Sequence, residues 1–436
     1  MTDDRIWHPY TRYSAMDAGP LPTIVRGEGV YLFDEEGNRY FDAISSWWSC
    51  ALGHGHPAIV DAIQSQAGTL QHSILGNLSH PAALALASKL DQLAGGNRHV
   101  HFASDGAAAI EIALKVCIQY HHQTGHPEKH SFVSLTDPYH GDTLGAVSVG
   151  YMEDFHRAFR PVLFPTFTAK TPSCSACEYG AGSCDVSCAD DIENVIRRNA
   201  AELAGVIVEP LCQGAAGMRM YSPECLARIQ RLCTELEVPL ILDEVATGFC
   251  KTGSTFAFEQ ARIQPDLLCV GKSLSAGSLP ISAVIVRDQY YDTFTDLPDD
   301  NTFYHGHTFA GNPIAAAASL AALRVYEEED LAAHARKMES VFRNALAEAA
   351  TLEAVKETRF LGAIAAVEIE PAAIQGAGNG VMNQIRTRLM SEEVLIRPLG
   401  NVVYFIPPLV TPNELLVDAC GKLISAIEEF VPQRSR

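Results

Sequence analysis

Along this chain, short runs of consecutive apolar residues alternate with segments whose apolar positions recur every three or four residues. The runs are 130–135, 203–208, 238–242, 267–270 and 281–286. Helical spacing of Ala, Ile and Leu fills 58–94 and 107–122, and the alanine-rich stretch Pro313 to Tyr326 predicts a long buried helix. Continuous Val/Ile/Leu runs between helices predict a mainly parallel sheet covered on both faces, an α/β architecture. The first fifty residues read as an arm and a small hairpin, with a strand before the acidic turn near Gly37 and a return at Arg39–Asp42. Beyond about Glu327 the order becomes helix, strands (360–369 and 402–406), then helix, a separate and smaller α+β unit. The expected division is 1–57 as arm and part of the small domain, 58–327 as the large domain, and 328–436 as the small domain.

A length of 436 residues fits one large domain plus a smaller one. Hydrophobic residues at 47% and charged residues at 19% give an ordinary globular balance, so neither disorder nor a membrane class is indicated. The formal net charge of -20 repels nucleic acid and anionic lipid, so neither is an expected partner. No apolar run is long enough to span a bilayer, and the start MTDDRIWHPY lacks the pattern of an export signal. The cytosol is the expected compartment.

The chemistry is concentrated in 239–272. One apolar run delivers Asp243 and Glu244 at its end, and a second delivers Gly271 and Lys272. A carboxylate and a lysine at the tips of two buried strands suit a cofactor that needs both. Pyridoxal phosphate (PLP) is one: its aldehyde takes a lysine as a Schiff base, and its ring nitrogen needs a carboxylate to stay protonated. A lysine partly withdrawn from water loses some preference for its charged form and becomes a better nucleophile. An aspartate after Leu-Ile-Leu is costly to bury unless a cation faces it. The run FASDGAAAIE passes from a strand into an alanine-rich helix at Asp105, Gly106 and Ala107, where free amides and the helix dipole would face a phosphate. Tyr139 and His140 follow a strand, at the sheet end where α/β proteins bind ligands.

Four ordered motifs, DEVATGF, the Gly271-Lys272 pair, YHGDTLGA and HGHTFAGNP, resemble class III aminotransferases of PLP fold type I over nearly the whole chain. The resemblance implies that Lys272 forms the Schiff base, Asp243 partners the pyridine nitrogen and Tyr139 covers the ring. It implies that the backbone at Asp105, Gly106 and Ala107 holds the phosphate, with His140 and Glu209 beside the cofactor. It also implies a homodimer with shared sites, in which Thr308 reaches the neighbouring subunit's cofactor. Four further segments, IWHPYT at 6–11, SSWW at 45–48, GMRMY at 217–221 and IRPLGNVVYFIPP at 396–408, resemble the branch that aminates 8-amino-7-oxononanoate in biotin synthesis. By that resemblance Tyr10, Trp47, Trp48 and Tyr139 line the substrate channel, Arg397 binds a carboxylate and Tyr404 lies beside it. An apolar channel ending in a cation suits a nine-carbon amino-ketone acid. Taken alone, Trp47-Trp48 reads as core packing and Arg397 equally as a surface ion pair. The implied reaction is ping-pong transamination between a small-molecule amino donor and a keto acceptor. The donor stays open between S-adenosylmethionine and lysine. A broader ω-aminotransferase acting on diamines or 4-aminobutyrate is the alternative, and a metal- or redox-sensing protein on the same scaffold is a further one.

The chain departs from the family pattern at three places. Cys250-Lys251 stands where Gly-Arg is usual, Ser-Leu-Ser-Ala-Gly follows Lys272, and Ala107 replaces a hydroxyl residue at the phosphate turn. Of 12 cysteines, Cys174, Cys177, Cys184 and Cys188 fall within fifteen residues in a Gly/Ser/Pro-rich stretch. Thiols this close in a reducing compartment suggest an iron–sulfur cluster or zinc, or else a loop of free thiols.

Overall fold

The computed structural model describes residues 5–12, 21–173, 185–374 and 380–431. Its centre is a seven-stranded sheet in the order Arg98–Ala103, Ser282–Arg287, Leu267–Val270, Leu240–Asp243, Leu203–Val208, Ser131–Leu135, Phe167–Ala169. Only Ser282–Arg287 runs against its neighbours; the other contacts are parallel. Leu240, Ile241 and Leu242 are fully buried, as an uninterrupted apolar run in a covered sheet requires. Helix Gly106–Gln123 packs on one face, against the 267–270 and 282–287 strands.

Helix starts follow local chemistry. Pro57, Pro81, Pro223 and Pro313 each open a helix, where the missing N–H is no loss. Asp105, Ser222 and Asn312 cap theirs through side-chain oxygens that accept backbone N–H bonds. The helical spacing over 58–94 resolves into two helices, Pro57–Thr69 and Pro81–Leu93. The break is physical: Asn77 is left-handed and His80 extended before the proline. Both helices pack against the alanine-rich helix Pro313–Glu328, whose small side chains permit close approach.

The N- and C-terminal parts share a sheet. Strands Ile24–Glu28, Tyr31–Asp34 and Arg39–Asp42 are joined by Val394–Leu395, with Val394 opposite Phe41. A second small sheet orders Val355–Leu361, Ile364–Ile369 and Val402–Phe405. The run 360–369 is therefore a hairpin rather than one strand. It reverses at Gly362, which has φ +58°, and a Cβ there would run into the Lys251 carbonyl oxygen. This contact ties the small sheet to the loop following Asp243.

Gly362→Ala forces both a left-handed alanine and a backbone clash. It should destabilise the protein by about 2 kcal/mol or more, read as a lowered denaturant midpoint; an unchanged midpoint would show that the turn relaxes freely.

Candidate active site

The C-terminal ends of the central strands surround a cavity of about 690 Å³. Asp243 stands opposite Cys269 on the adjacent parallel strand, and Lys272 follows three residues beyond that partner, so topology brings both to one cavity. Trp48, Ser104, Asp105, Gly106, Ala107, Tyr139, His140, Glu209 and Val245 complete much of the lining.

Asp243 is buried. Its Oδ2 lies 2.8 Å from His140 Nδ1, and its Oδ1 accepts the Val245 N–H at 3.0 Å. His140 is also buried, and its Nε2 has no partner among the described residues. Lys272 is half-buried in a left-handed backbone (φ +44°) and its Nζ lies 4.7 Å from the Trp48 ring centroid. Burial lowers the amine's pKa, while Asp243 and Glu209 oppose that shift. Glu209 follows the 203–208 strand and accepts from Tyr139 N at 3.2 Å and Gly214 N at 2.9 Å. Burial, helped by the nearby Asp243 charge, pushes its carboxyl up to about 7.

The turn Ser104–Ala107 presents the first amides of an 18-residue helix to the cavity. Asp105 is its N-cap, with the carboxylate turned to Ala108 N at 2.9 Å. Ala107 meets the Tyr139–Asp142 turn tightly: Gly141 has φ +114°, and any Cβ there would strike the Ala107 methyl. The small residue at 107 thus has a packing partner.

The aromatic residues expected in a channel form a connected layer. Ser45, Ser46, Trp47 and Trp48 are four consecutive left-handed residues. Asp42 secures them, accepting from Ser46 N at 2.9 Å and Ser46 Oγ at 2.7 Å and facing His54 Nε2 at 2.9 Å. Trp48 packs on the buried Tyr404, with ring centroids 6.0 Å apart. The Arg397 guanidinium lies 4.2 Å from the Trp47 ring centroid and donates to the Tyr10 carbonyl at 2.9 Å. The Tyr10 ring meets Trp47 edge-on at 5.9 Å. Its hydroxyl and that of Tyr139 both donate to Asp142.

Thr308 is exposed and does not line this cavity, and Tyr10, Trp47, Arg397 and Tyr404 are not among its lining residues either, reaching it only through Trp48 and the Tyr139–Asp142 turn. Sequence reading passed over Asp142, although YHGDTLGA contains it; a carboxylate one turn from Tyr139 was the available signal. Lys251 was noticed only as a departure. It is 1% exposed, and its Nζ donates to the Ala246 carbonyl at 3.2 Å, supporting a cavity-lining turn. Cys174, Cys177 and Cys184 lie outside the described residues. Cys188 places its sulfur 3.2 Å from that of Cys225. Among the described residues no group of three or more His, Cys, Asp and Glu side chains could hold a metal ion.

A helix N-terminus, a buried carboxylate and a desolvated lysine around one cavity at the strand ends define a PLP-type aminotransferase site. Residues 13–427 match the family described as aminotransferase class-III, and the chain belongs to it: it is a PLP-dependent aminotransferase. It is 37% identical over 434 residues to the adenosylmethionine-8-amino-7-oxononanoate aminotransferase of Geobacter sulfurreducens, covering 97% of this chain and 96% of that one. The crystal structure of the Methanocaldococcus jannaschii protein of the same name superposes with a TM-score of 0.91 at 33% identity, covering 98% and 97% of the two chains. An ω-transaminase from Pseudomonas jessenii, in complex with PMP, superposes with a TM-score of 0.89 at 28% identity, covering 97% and 96%. No helix among the described residues is long and apolar enough to cross a membrane.

The residues present fit the cofactor. The amine, the carboxylate and the helix amides match its aldehyde, ring nitrogen and phosphate in kind, and the unpartnered His140 Nε2 leaves hydrogen-bonding capacity at the site.

Glu244, next along the chain, faces the interior instead. It accepts from Thr247 Oγ1 at 2.7 Å and Phe258 N at 3.0 Å, and burial pushes it up to about 7. Its folded form holds a proton that the unfolded chain releases near the ordinary value of 4.5. The associated stability is complete below that value and is lost as pH rises through about 7. Glu244→Gln should therefore flatten the decline in unfolding free energy between pH 5 and pH 8, by up to about 3 kcal/mol. An unaltered slope would show that the carboxyl is ionised throughout.

Proposed function

We propose that the chain transfers an amino group to 8-amino-7-oxononanoate, giving 7,8-diaminononanoate for biotin synthesis. The observation that carries this reading is the Trp47-Trp48 pair, which joins a guanidinium to an amine. Arg397 lies against the first ring and Lys272 Nζ against the second. Such a wall accommodates an acyl chain with a carboxylate at one end and a reacting carbonyl at the other. The names of the relatives and the SSWW and IWHPYT segments support the same substrate.

When bound, PLP supplies an aldehyde that takes up amino groups and a protonated ring that withdraws electrons from the donor carbon. Lys272 Nζ is the covalent anchor and the general acid–base that removes the proton from the amine-bearing carbon and returns it across the transfer. Its lowered basicity makes it readier to give up and take back a proton than an ordinary surface lysine. Asp243, held by His140 and the Val245 amide, would face the pyridine nitrogen. Amides at Asp105, Gly106 and Ala107 hold the phosphate. Tyr139 covers the ring, with His140 and Glu209 fixing the surrounding turns. Tyr10, Trp47, Trp48 and Tyr139 wall the acyl chain, Arg397 pairs its carboxylate, and Tyr404, buried beside it, backs Trp48.

The protein is proposed to act as a homodimer. The segment carrying Thr308 is exposed, with Tyr304 77% and Phe309 62% accessible, as suits a surface reaching a second copy and its phosphate. The resemblance to ω-transaminase structures favours one alternative, a broader amine specificity. Activity with 8-amino-7-oxononanoate against 4-aminobutyrate separates the two readings, and a donor panel containing S-adenosylmethionine and lysine identifies the donor.

Lys272→Ala should abolish turnover, by roughly a million-fold or more, and remove the visible absorbance of lysine-linked cofactor. Full activity in this variant would eliminate the assignment. Arg397→Ala should raise KM for 8-amino-7-oxononanoate about 30- to 1000-fold, the worth of a charge-assisted pair. Half-reactions with simple amines should stay within about twofold. An unchanged KM would remove Arg397 from the carboxylate site.

A further inference from the structure

His156 closes the helical turn Glu153–His156 and is buried. Its Nδ1 accepts the Met152 N–H at 3.0 Å. A proton on Nδ1 would set two hydrogens against each other across that contact, so the ring carries its proton on Nε2. Nε2 has no hydrogen-bond partner among the described residues. It points at Asp142, with Oδ1 at 3.7 Å. That carboxylate already accepts the Tyr10 hydroxyl on Oδ1 and the Tyr139 hydroxyl, at 2.8 Å, on Oδ2. The preceding residue, Phe155, meets the Tyr10 ring edge-on at 5.5 Å. One short helical turn thus meets the Tyr10–Tyr139–Asp142 group at two places, through the Phe155 edge and through the close approach of His156 Nε2 to Asp142.

We propose that His156 is a positioning residue: as a neutral imidazole with its proton on Nε2 it donates to Asp142 and fixes the carboxylate that aligns the Tyr10 and Tyr139 hydroxyls at the cavity. This rests on the reading of Tyr10 and Tyr139 as substrate-facing. Burial lowers the imidazole's pKa against the pull of Asp142, consistent with the neutral form. Asp142, which is half-exposed, needs to move only about 0.5 Å to bring the 3.7 Å separation to hydrogen-bond length, and site hydrogen bonds commonly tighten when substrate enters. Without the N–H, Asp142 can rotate with its two phenols, so substrate affinity suffers while the proton transfer at Lys272 does not.

The test compares holoenzyme variants His156→Phe, His156→Gln, Asp142→Asn and the double variant His156→Phe/Asp142→Asn, using 8-amino-7-oxononanoate as acceptor. His156→Phe should raise KM about five- to tenfold, the worth of one hydrogen bond, with kcat and the visible cofactor band unchanged within about twofold. His156→Gln, which keeps a donor, should stay within about twofold of the parent. In the Asp142→Asn background His156→Phe should add no further loss, because coupled residues are not additive. An unaltered KM in His156→Phe, equal losses in His156→Phe and His156→Gln, or multiplying losses in the double variant would each overturn the proposal. If His156→Phe fails to fold, His156→Asn replaces it with the same expectation, since it can still accept from Met152 but is too short to reach Asp142. If the parent does not turn over this acceptor, the substrate reading fails alone, and the comparison runs on an acceptor the parent does use.

Discussion

The site is organised around a carboxylate that the fold has taken out of water. Asp243 ends a strand whose other residues are fully buried, and its carboxyl meets only the imidazole of His140 and one backbone amide. A buried charge held by so few partners calls for a cation opposite. The rest of the cavity can be understood from that requirement. Parallel strands bring Lys272 to the same rim, and the helix beginning at Gly106 supplies the anion-binding end. The pyridine ring of the family's cofactor presents matching groups to all three.

Much of this was visible before any coordinates. The apolar runs at 203–208, 240–242 and 267–270 announced buried parallel strands because only a covered sheet tolerates unbroken hydrophobicity. Asp243 and Lys272 stood out because ionisable groups seldom end such runs. Two features were hidden for physical reasons. The break at 70–80 is masked by Leu70, Ile74, Leu75 and Leu78, which carry the apolar periodicity across it, and only Gly76-Asn77 and Pro81 mark it. The hairpin at 355–369 hides its reversal because the residues directly flanking Gly362, Phe360-Leu361 and Ala363-Ile364, form one continuous apolar run. Side-chain relays such as His156 to Asp142 depend on which ring nitrogen meets which backbone amide, and no spacing in a sequence encodes that.

The departures from the family pattern become intelligible as packing. Ala107 lies under Gly141, where neighbouring atoms leave no spare volume. Lys251 has lost almost all contact with solvent and spends its amine on the Ala246 carbonyl, within the turn that lines the cavity. Burial and the nearby Lys272 both lower its pKa, which disfavours a second full cation beside the site. Gly362, pressed against the Lys251 carbonyl, extends the same support into the small C-terminal sheet.

The left-handed turn at 45–48 has an evolutionary consequence. Each non-glycine residue held in that conformation costs roughly 1–2 kcal/mol, and here four in succession bear it, two of them tryptophans. Glycine, elsewhere a liability in a helical turn, is what this backbone would favour. Selection for heat resistance alone would therefore erode the indoles before it touched the core, trading catalytic architecture for ruggedness. Bulky L-residues stand at these positions against the chain's own conformational preference, and the Asp42 hydrogen bonds to Ser46 are what the turn sets against that strain.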